Sequence, residues 1–179
     1  MATAFSPPNS SRAAPSLGCC ANWIRSTPPE QVAAFPAADH QILDTYAYIN
    51  ADGTWVLCWD WGRYMNHSCA PNTLGLGPYA DVAVRDIQPG EQLTCEYGML
   101  NLAEAMDCHC GAPRCRGHIG PDDVLNYGED WDTVVAQAAP FAGQVDQPLK
   151  AYLQDPAYVD GVVRGNFPLP KARSYYRAS

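Results

Sequence analysis

The sequence predicts a mainly β fold made of small sheets with short helices. Three observations support this prediction. Residues 45–49 and 54–59 are aromatic, β-prone runs separated by a turn at residues 50–53, which is the pattern of a hairpin. Further short strands with tight turns are indicated at residues 81–87 and 93–97. No long helical segment alternates with these strands, as a parallel α/β fold would require.

The N-terminal segment has a weaker pattern. Residues 1–30 combine prolines with small polar residues and lack a helical or strand period, so we expect little regular structure there. A short helix is indicated over residues 29–35, with Thr27 as its cap and Pro36 as its end.

The sequence of the C-terminal third of the chain predicts helices. Residues 130–139 have the pattern of an amphipathic helix that Pro140 would stop. A second short helix is indicated near residues 149–153. Residues 166–179 mix prolines, basic residues and tyrosines, so we expect this end of the chain to be loosely held.

Length and charge narrow the classes of function. The chain has 179 residues, with 11 Lys and Arg against 19 Asp and Glu and a formal net charge of −8. This balance argues against direct nucleic-acid binding and suits a cationic partner such as a lysine-rich peptide. No apolar run is long enough to cross a bilayer, and no signal peptide is apparent. We therefore expect a soluble intracellular protein with reduced cysteines, cytoplasmic or, in a eukaryote, nuclear. The sequence leaves the oligomeric state open.

The densest chemistry lies in residues 63–72, Arg-Tyr-Met-Asn-His-Ser-Cys-Ala-Pro-Asn. Connecting loops usually consist of Gly, Ser and Asp, whereas this stretch places an amide, an imidazole and a thiol side by side. Two later segments are similarly dense: residues 90–98, Gly-Glu-Gln-Leu-Thr-Cys-Glu-Tyr-Gly, and residues 108–117, Cys-His-Cys-Gly-Ala-Pro-Arg-Cys-Arg-Gly. We expect the three segments to act together.

The third segment has the spacing of a metal site. Cys108 and Cys110 are followed by Cys115, which places three soft ligands within eight residues. Zinc usually takes four such ligands in a structural site. Cys69 is the best fourth ligand, because a shared ion would clamp this segment onto the core.

Alternatives to this metal site stay open at the level of sequence. His109 and His118 are local candidates for the fourth position, and the clustered cysteines are also compatible with ordinary buried thiols. The remaining cysteines are expected to be small buried hydrophobic residues: Cys19, Cys20, Cys58 and Cys95.

Together, the three segments resemble the SET-domain protein lysine methyltransferases, which transfer a methyl group from S-adenosylmethionine to a lysine amine. The resemblance rests on residues 63–72, on residues 90–97 and on the Cys-x-Cys-x4-Cys pattern, and it covers about residues 42–119. It implies a SET-domain β-clip of small sheets, in which the first two segments meet in a pseudoknot-like crossing. The parts implied are a divergent or incomplete N-terminal segment (1–41), a SET domain (42–104), a post-SET zinc-binding segment (105–119) and a C-terminal helical tail (120–179).

The resemblance also implies roles for single residues. Asn66 and His67 match positions that contact S-adenosylmethionine in the family, and Arg63 lies beside them. Tyr97 matches the catalytic tyrosine. The zinc ligands that the resemblance implies are those that the spacing also suggests: Cys69, Cys108, Cys110 and Cys115.

The family's chemistry requires an aromatic channel for the lysine side chain, with Tyr46 and Tyr48 as candidate walls. On a strand these two side chains would face opposite sides, so only one would point into a given pocket. Tyr97 and His67 each have a simpler alternative, as a core tyrosine and as a core histidine bonded to backbone. Four acidic residues are most simply solvated charges or turn formers: Asp81, Asp86, Glu91 and Glu96. Two others, Glu104 and Asp107, could attract a basic peptide.

One family feature is missing. SET domains usually begin with a Gly-x-Gly strand that lets the backbone approach the cofactor. Before Gly62 this chain has only Gly18 and Gly53. The sequence therefore supports two functions: a protein-lysine methyltransferase acting on histone-like or other lysine-bearing proteins, and a catalytically inactive SET-fold peptide-binding module braced by zinc.

Overall fold

The computed structural model describes residues 17–19, 25–58, 61–78 and 80–178. Within these ranges the strands form four small sheets. The strands are β1 (Leu17–Cys19), β2 (Arg25–Thr27), β3 (Ala47–Ile49), β4 (Trp55–Leu57), β5 (Asn66–His67), β6 (Thr73–Gly75), β7 (Ala80–Ala83), β8 (Thr94–Cys95), β9 (Met106–Asp107) and β10 (His118–Ile119).

The two larger sheets have three strands each. In one, β7 lies between β1 and β6 and is antiparallel to both. In the other, β4 lies between β2 and β3, again antiparallel. β9 and β10 form an antiparallel pair, and β5 and β8 form a parallel pair. Small sheets of this kind need cover on one face, which the helices provide.

The α-helices are α1 (Pro29–Val32), α2 (Ala37–Tyr46), α3 (Asp123–Ala142) and α4 (Pro156–Val163). Short 3₁₀ turns occupy Trp61–Tyr64, Tyr97–Met99, Lys150–Tyr152 and Ala172–Tyr175. None of the helices in the described ranges is both long and apolar enough to cross a membrane.

The main core lies between α3, α4 and the β6–β7 pair. The buried residues of α3 recur every three or four positions, which places them on one helix face: Val124, Gly128, Trp131, Val135, Ala138, Ala139 and Ala142. This face joins one buried cluster with Leu74 of β6 and Val82 of β7, which are 2% and 0% exposed. The same cluster includes Val159 of α4.

α3 also packs closely against the turn that follows β8. A Cβ atom added to Gly98 would lie 2.8 Å from Cβ of Asp123 and 2.9 Å from Cη2 of Trp131. Real Cβ atoms essentially never approach that closely, so this position needs glycine. The helix therefore fixes the backbone just after Tyr97.

The expectation of small sheets with short helices is confirmed. The predicted hairpin is present as β3 and β4, but residues 45–46 belong to α2 and not to a strand. The hydroxyl of Thr45 donates to the carbonyl of Gln41 at 2.8 Å, the i−4 bond that lets a threonine stay helical.

The expectation of little structure before residue 30 is wrong for two segments, since β1 pairs with β7 and β2 pairs with β4. Thr27 lies in β2, and Pro28 holds the cap position of α1, so the predicted cap is also wrong. Some predictions fall outside the described residues: those for residues 1–16, for Cys20, for the strand end at Trp59 and for Ser179.

Two C-terminal predictions are corrected. α3 starts at Asp123 and continues past Pro140, whose missing N–H removes only one hydrogen bond in the last turn. The end of the chain is packed and not loosely held. Ala172 is buried, its N–H donates to Asp132 Oδ1 at 2.8 Å, and the hydroxyl of Tyr176 donates to Asp122.

Candidate active site and metal centre

Two segments separated by almost thirty residues meet in the β5–β8 pair. Asn66 lies beside Thr94 and His67 beside Cys95, in parallel register. The N–H of Ser68 extends this pairing by donating to the carbonyl of Cys95 at 3.1 Å. The dense loop and the Glu96-Tyr97 segment are therefore neighbours in space.

A buried asparagine fastens this meeting point. Asn72 is 0% exposed, and its side-chain oxygen accepts the N–H of Thr94 at 2.8 Å. Its Nδ2 donates to the carbonyl of Gln92 at 2.8 Å. A buried amide with donor and acceptor both satisfied fixes one arrangement of the two segments.

Tyr97 is held from two sides. Its hydroxyl donates to the carbonyl of Met65 at 2.8 Å, and its N–H donates to Nδ1 of His67 at 3.2 Å. Burial raises the pKa of Tyr97, and the nearby Cys95 raises it further. The phenol is therefore neutral at ordinary pH, and its oxygen can still accept a hydrogen bond from an amine.

His67 is neutral and its tautomer follows from its contacts. Burial, and then the charge of Arg116, lower the pKa of His67 to about 4. Because Nδ1 accepts the N–H of Tyr97, the proton of the neutral ring lies on Nε2. Nε2 is 3.3 Å from Sγ of Cys69, so it is placed to donate to that sulfur.

Four sulfur atoms lie together beside this ring, from Cys69, Cys108, Cys110 and Cys115, and we call them the sulfur cluster. Sγ of Cys108 is 3.7 Å from Sγ of Cys69 and 3.7 Å from Sγ of Cys115. The N–H of Cys69 donates to Sγ of Cys110 at 3.4 Å. The ligand atoms of Cys69, Cys108, Cys110 and His67 all lie within 4.8 Å of one another and could hold a metal ion.

The thiol groups of this cluster have unequal acidity. Burial raises the pKa of Cys108 to about 12. Burial would also raise the pKa of Cys110, but the N–H groups of Cys69 and Ala112 outweigh it and lower this pKa to about 6. A thiolate at Cys110 suits a soft cation at the centre of the cluster.

A cleft of about 1240 Å³ opens on the other side of Tyr97. Its wall includes Tyr97 and Met65, and two further aromatic residues from the end of α2 and from β3, Tyr46 and Tyr48. Arg63 also lines it, and Nε of this side chain is buried without a hydrogen-bond partner in the described structure. An unpaired buried cationic donor is a natural contact for an anionic group.

Another part of the cleft wall comes from the C-terminal segment, through Pro170, Ala172 and Tyr175. Asn101 fastens this wall: its Nδ2 donates to the carbonyls of Ile49 and Tyr175, both at 2.8 Å. Its Oδ1 accepts the N–H of Arg177 at 2.8 Å. The cleft is therefore formed jointly by the β-rich part and the C-terminal segment.

Residues 13–98 match the family model described as SET domain. The chain contains a SET domain. This match begins within the segment 1–41 that the sequence analysis set apart.

Relatives of this SET domain include histone-lysine N-methyltransferases. The H3 lysine-36 specific enzyme of Aspergillus oryzae is 40% identical over 130 residues, covering 56% of this chain and 12% of the relative. The H3 lysine-4 specific enzyme of Schizosaccharomyces pombe is 42% identical over 64 residues, covering 32% of this chain and 7% of the relative. The histone-lysine N-methyltransferase Set2 of Drosophila melanogaster is 38% identical over 81 residues, covering 39% of this chain and 3% of the relative. The chain thus spans less than a fifth of each of these relatives.

The structure brings most of the predicted site residues together, with two differences from expectation. Asn66 is exposed, and the described lining of the cleft does not include Asn66 or His67. Tyr46 and Tyr48 were expected on opposite faces of one strand, but both line the cleft because Tyr46 ends α2.

Sequence reasoning missed the buried ion pair between Glu96 and Arg116. Glu96, expected to be a solvated charge, is 2% exposed and accepts Nη2 of Arg116 at 2.6 Å. Burial raises the pKa of Glu96, while the hydrogen bonds from Arg116 and from the N–H of Gly98 lower it in part. The available signal was the position of Arg116 directly after Cys115, which places a cation beside a cluster of thiols.

Proposed function

We propose that this protein is an S-adenosylmethionine-dependent protein-lysine N-methyltransferase whose substrate is a histone-like or other lysine-bearing protein. The observation that carries the proposal is the placement of Tyr97: a neutral phenol, held by Met65 and His67, on the wall of an aromatic cleft. The names of the relatives support a lysine substrate and, if it is a histone, a nuclear location.

The proposed chemistry depends on alignment. S-adenosylmethionine, when bound, supplies a methyl group on a positively charged sulfur. The chain has to orient a neutral lysine amine along the line of transfer and exclude water. The oxygen of Tyr97 would accept a hydrogen bond from the amine, and Tyr46 and Tyr48 would enclose the alkyl stem of the lysine.

The residues of the cleft fit this cofactor. The cleft volume of about 1240 Å³ exceeds that of ordinary small-molecule pockets, so it has room for a cofactor and a lysine side chain. Arg63, with its unpaired buried Nε, would pair with the carboxylate of the cofactor. We keep Asn66 and His67 as proposed cofactor-binding residues because they follow Arg63 closely in the chain, although neither residue lines the described cleft.

The sulfur cluster fits zinc. For Zn–S bonds of about 2.3 Å, the edge of a tetrahedron is about 3.8 Å. The separations of Sγ of Cys108 from Sγ of Cys69 and from Sγ of Cys115, both 3.7 Å, are close to that value. Because His67 carries its proton on Nε2, we propose Cys115 as the fourth ligand and His67 as a hydrogen-bond donor to Cys69. Zinc would then cross-link the post-SET segment, residues 105–119, to the proposed pseudoknot-like crossing.

The test is Tyr97→Phe, which removes only the hydroxyl. We expect kcat for methyl transfer to a lysine peptide to fall by about 10- to 100-fold, while thermal stability and cofactor affinity stay close to wild type. Tyr152→Phe is the matched control, since Tyr152 also lines the cleft but is 56% exposed. Equal turnover in Tyr97→Phe and wild type would contradict the catalytic role.

One observation favours the second candidate, a catalytically inactive peptide-binding module. The side chains of Asn66 and His67 do not line the described cleft. In that case the wild-type protein would bind lysine peptides with the same affinity whether or not S-adenosylmethionine is present. The proposed enzyme would transfer the methyl group.

A further inference from the structure

We propose that Arg116 is a positioning residue: anchored at the sulfur cluster, it holds Tyr97 in place through Glu96. This inference rests on the proposed roles of Tyr97 and of the sulfur cluster. Arg116 contacts neither the cleft nor a reacting atom in the described structure, so its effect has to pass through its neighbours.

The backbone of Arg116 belongs to the sulfur cluster. It directly follows Cys115, and its N–H donates to Sγ of Cys69 at 3.4 Å. A bound ion would fix both sulfurs, and with them the start of the arginine side chain. The position of Arg116 therefore depends on the cluster and not on a surface loop.

The guanidinium group is held in a single place by its surroundings. Its carbon lies 4.8 Å from the ring centre of Tyr127 and 5.9 Å from that of Trp131, both on α3. Nη1 is 3.4 Å from Oδ2 of Asp123. Only 14% of the side chain is exposed, so its charge is directed at a buried partner.

That partner is Glu96, the residue before Tyr97. Its Oε1 accepts Nη2 of Arg116 at 2.6 Å and the N–H of Gly98 at 2.9 Å. The carboxylate thus caps the short turn Tyr97–Met99 that carries the tyrosine. Oε1 also lies 3.5 Å from Nδ1 of His67, the atom that accepts the N–H of Tyr97.

A buried carboxylate without a cation is unfavourable, so the side chain of Glu96 would turn toward water. That movement would take its oxygen away from the N–H of Gly98, release the cap on the turn and let the hydroxyl of Tyr97 leave the carbonyl of Met65. Neutralising Glu96 removes this penalty, because an amide in its place can still accept the N–H of Gly98.

The experiment uses the metal-loaded protein and the variants Arg116→Gln, Glu96→Gln, the double variant and Arg116→Lys. Amide hydrogen exchange of a peptide spanning residues 94–100 reports the turn without any assay of activity. We expect Arg116→Gln to speed exchange in this peptide at least about fivefold, and the double variant and Arg116→Lys to recover most of the protection. Lys150→Gln, which removes an ion pair with Asp160 elsewhere, is the control and should change nothing in this peptide.

Kinetics supply the second readout. In Arg116→Gln we expect kcat to fall by at least about fivefold with little change in KM and with the metal content of wild type. Unchanged exchange in Arg116→Gln, or a double variant worse than Arg116→Gln, would overturn the proposal. If Arg116→Gln does not fold, Glu96→Ala, which removes the acceptor for the N–H of Gly98, gives the decision: wild-type kcat and exchange in that variant would overturn the proposal. If the wild type transfers no methyl group, the exchange data still decide the positioning role, whereas the proposed function fails.

Discussion

The region around Tyr97 and the C-terminal helical layer are held together by different forces. Around Tyr97, a buried carboxylate, a guanidinium, an imidazole and four thiols are packed within hydrogen-bonding distance of one another. In the helical layer, residues 123–163, the contacts come mainly from apolar side chains of α3 and α4 on the β6–β7 pair. In a polar cluster of this kind, the loss of one group also weakens the hydrogen bonds of its neighbours. In apolar packing, the cost of a substitution depends on the volume that is removed.

This difference has a consequence for function. The polar region fixes Tyr97 with directional hydrogen bonds, so a substitution in this region changes the geometry of the site. The helical layer supports the cleft because Trp131 packs against Gly98. The segment that ends in Tyr175 lines the cleft. We therefore expect damage to the polar region to reduce both activity and stability, and damage to the helical layer to reduce mainly stability.

The largest effect is expected from the sulfur cluster. Cys110→Ser should remove one metal ligand and lower the free energy of unfolding by about 3–5 kcal/mol. For a chain of this size, that corresponds to a fall in Tm of about 10 °C. Scanning calorimetry with elemental analysis of zinc measures both. Cys58→Ser is the matched control outside the cluster, and an unchanged Tm in Cys110→Ser would contradict the zinc site.

An intermediate effect is expected at Asn101, which links Ile49 to the C-terminal segment through Tyr175 and Arg177. Asn101→Ala should lose three hydrogen bonds to backbone groups and destabilise the protein by about 2 kcal/mol in urea unfolding. Asn101 has a φ of 50°, which asparagine tolerates better than alanine. Asn101→Gly keeps that backbone conformation free of strain, so it isolates the hydrogen bonds. A loss in Asn101→Ala that Asn101→Gly fully restores would mean that the side-chain bonds do not hold the cleft wall.

The smallest effect is expected at Glu91, whose side chain is partly exposed. The hydrogen bond from Arg85, then those from the N–H of Gln88 and from Asn72, lower the pKa of Glu91 from 4.5 to about 2. Since the folded pKa lies below the unfolded one, the stabilisation is present above pH 4.5 and is lost as pH falls toward 2. Glu91→Gln should therefore be less stable than wild type at pH 6, and the difference should shrink at pH 3.5. The same difference at both pH values in urea unfolding would contradict this.

The residues of the polar region were largely predictable from the sequence, because their side chains lie in short motifs. Polar or sulfur side chains that a loop does not need are concentrated in three segments, residues 63–72, 90–98 and 108–117. The structure brings these three segments together. The burial of Glu96 was not predictable in this way. An acidic residue is exposed by default, and the partner that stabilises it inside lies twenty residues away.

The walls of the cleft were less predictable, because they depend on packing between distant segments. Tyr46 lines the cleft from the last position of α2, which continues through residues 45–46 against their β propensity. The C-terminal segment is ordered through contacts such as Asn101 with Tyr175, which are 74 positions apart. No local sequence pattern predicts a hydrogen bond between two residues that are so far apart in the chain.

The central claim is that the SET domain of this chain binds S-adenosylmethionine in the cleft beside Tyr97. Calorimetric titration of the zinc-loaded protein, at two temperatures, tests it most directly. We predict binding with a Kd near the micromolar range, about −8 kcal/mol, that Arg63→Ala weakens and Lys150→Gln leaves unchanged. The absence of binding heat at both temperatures, in protein that is folded and carries its zinc, would contradict the claim.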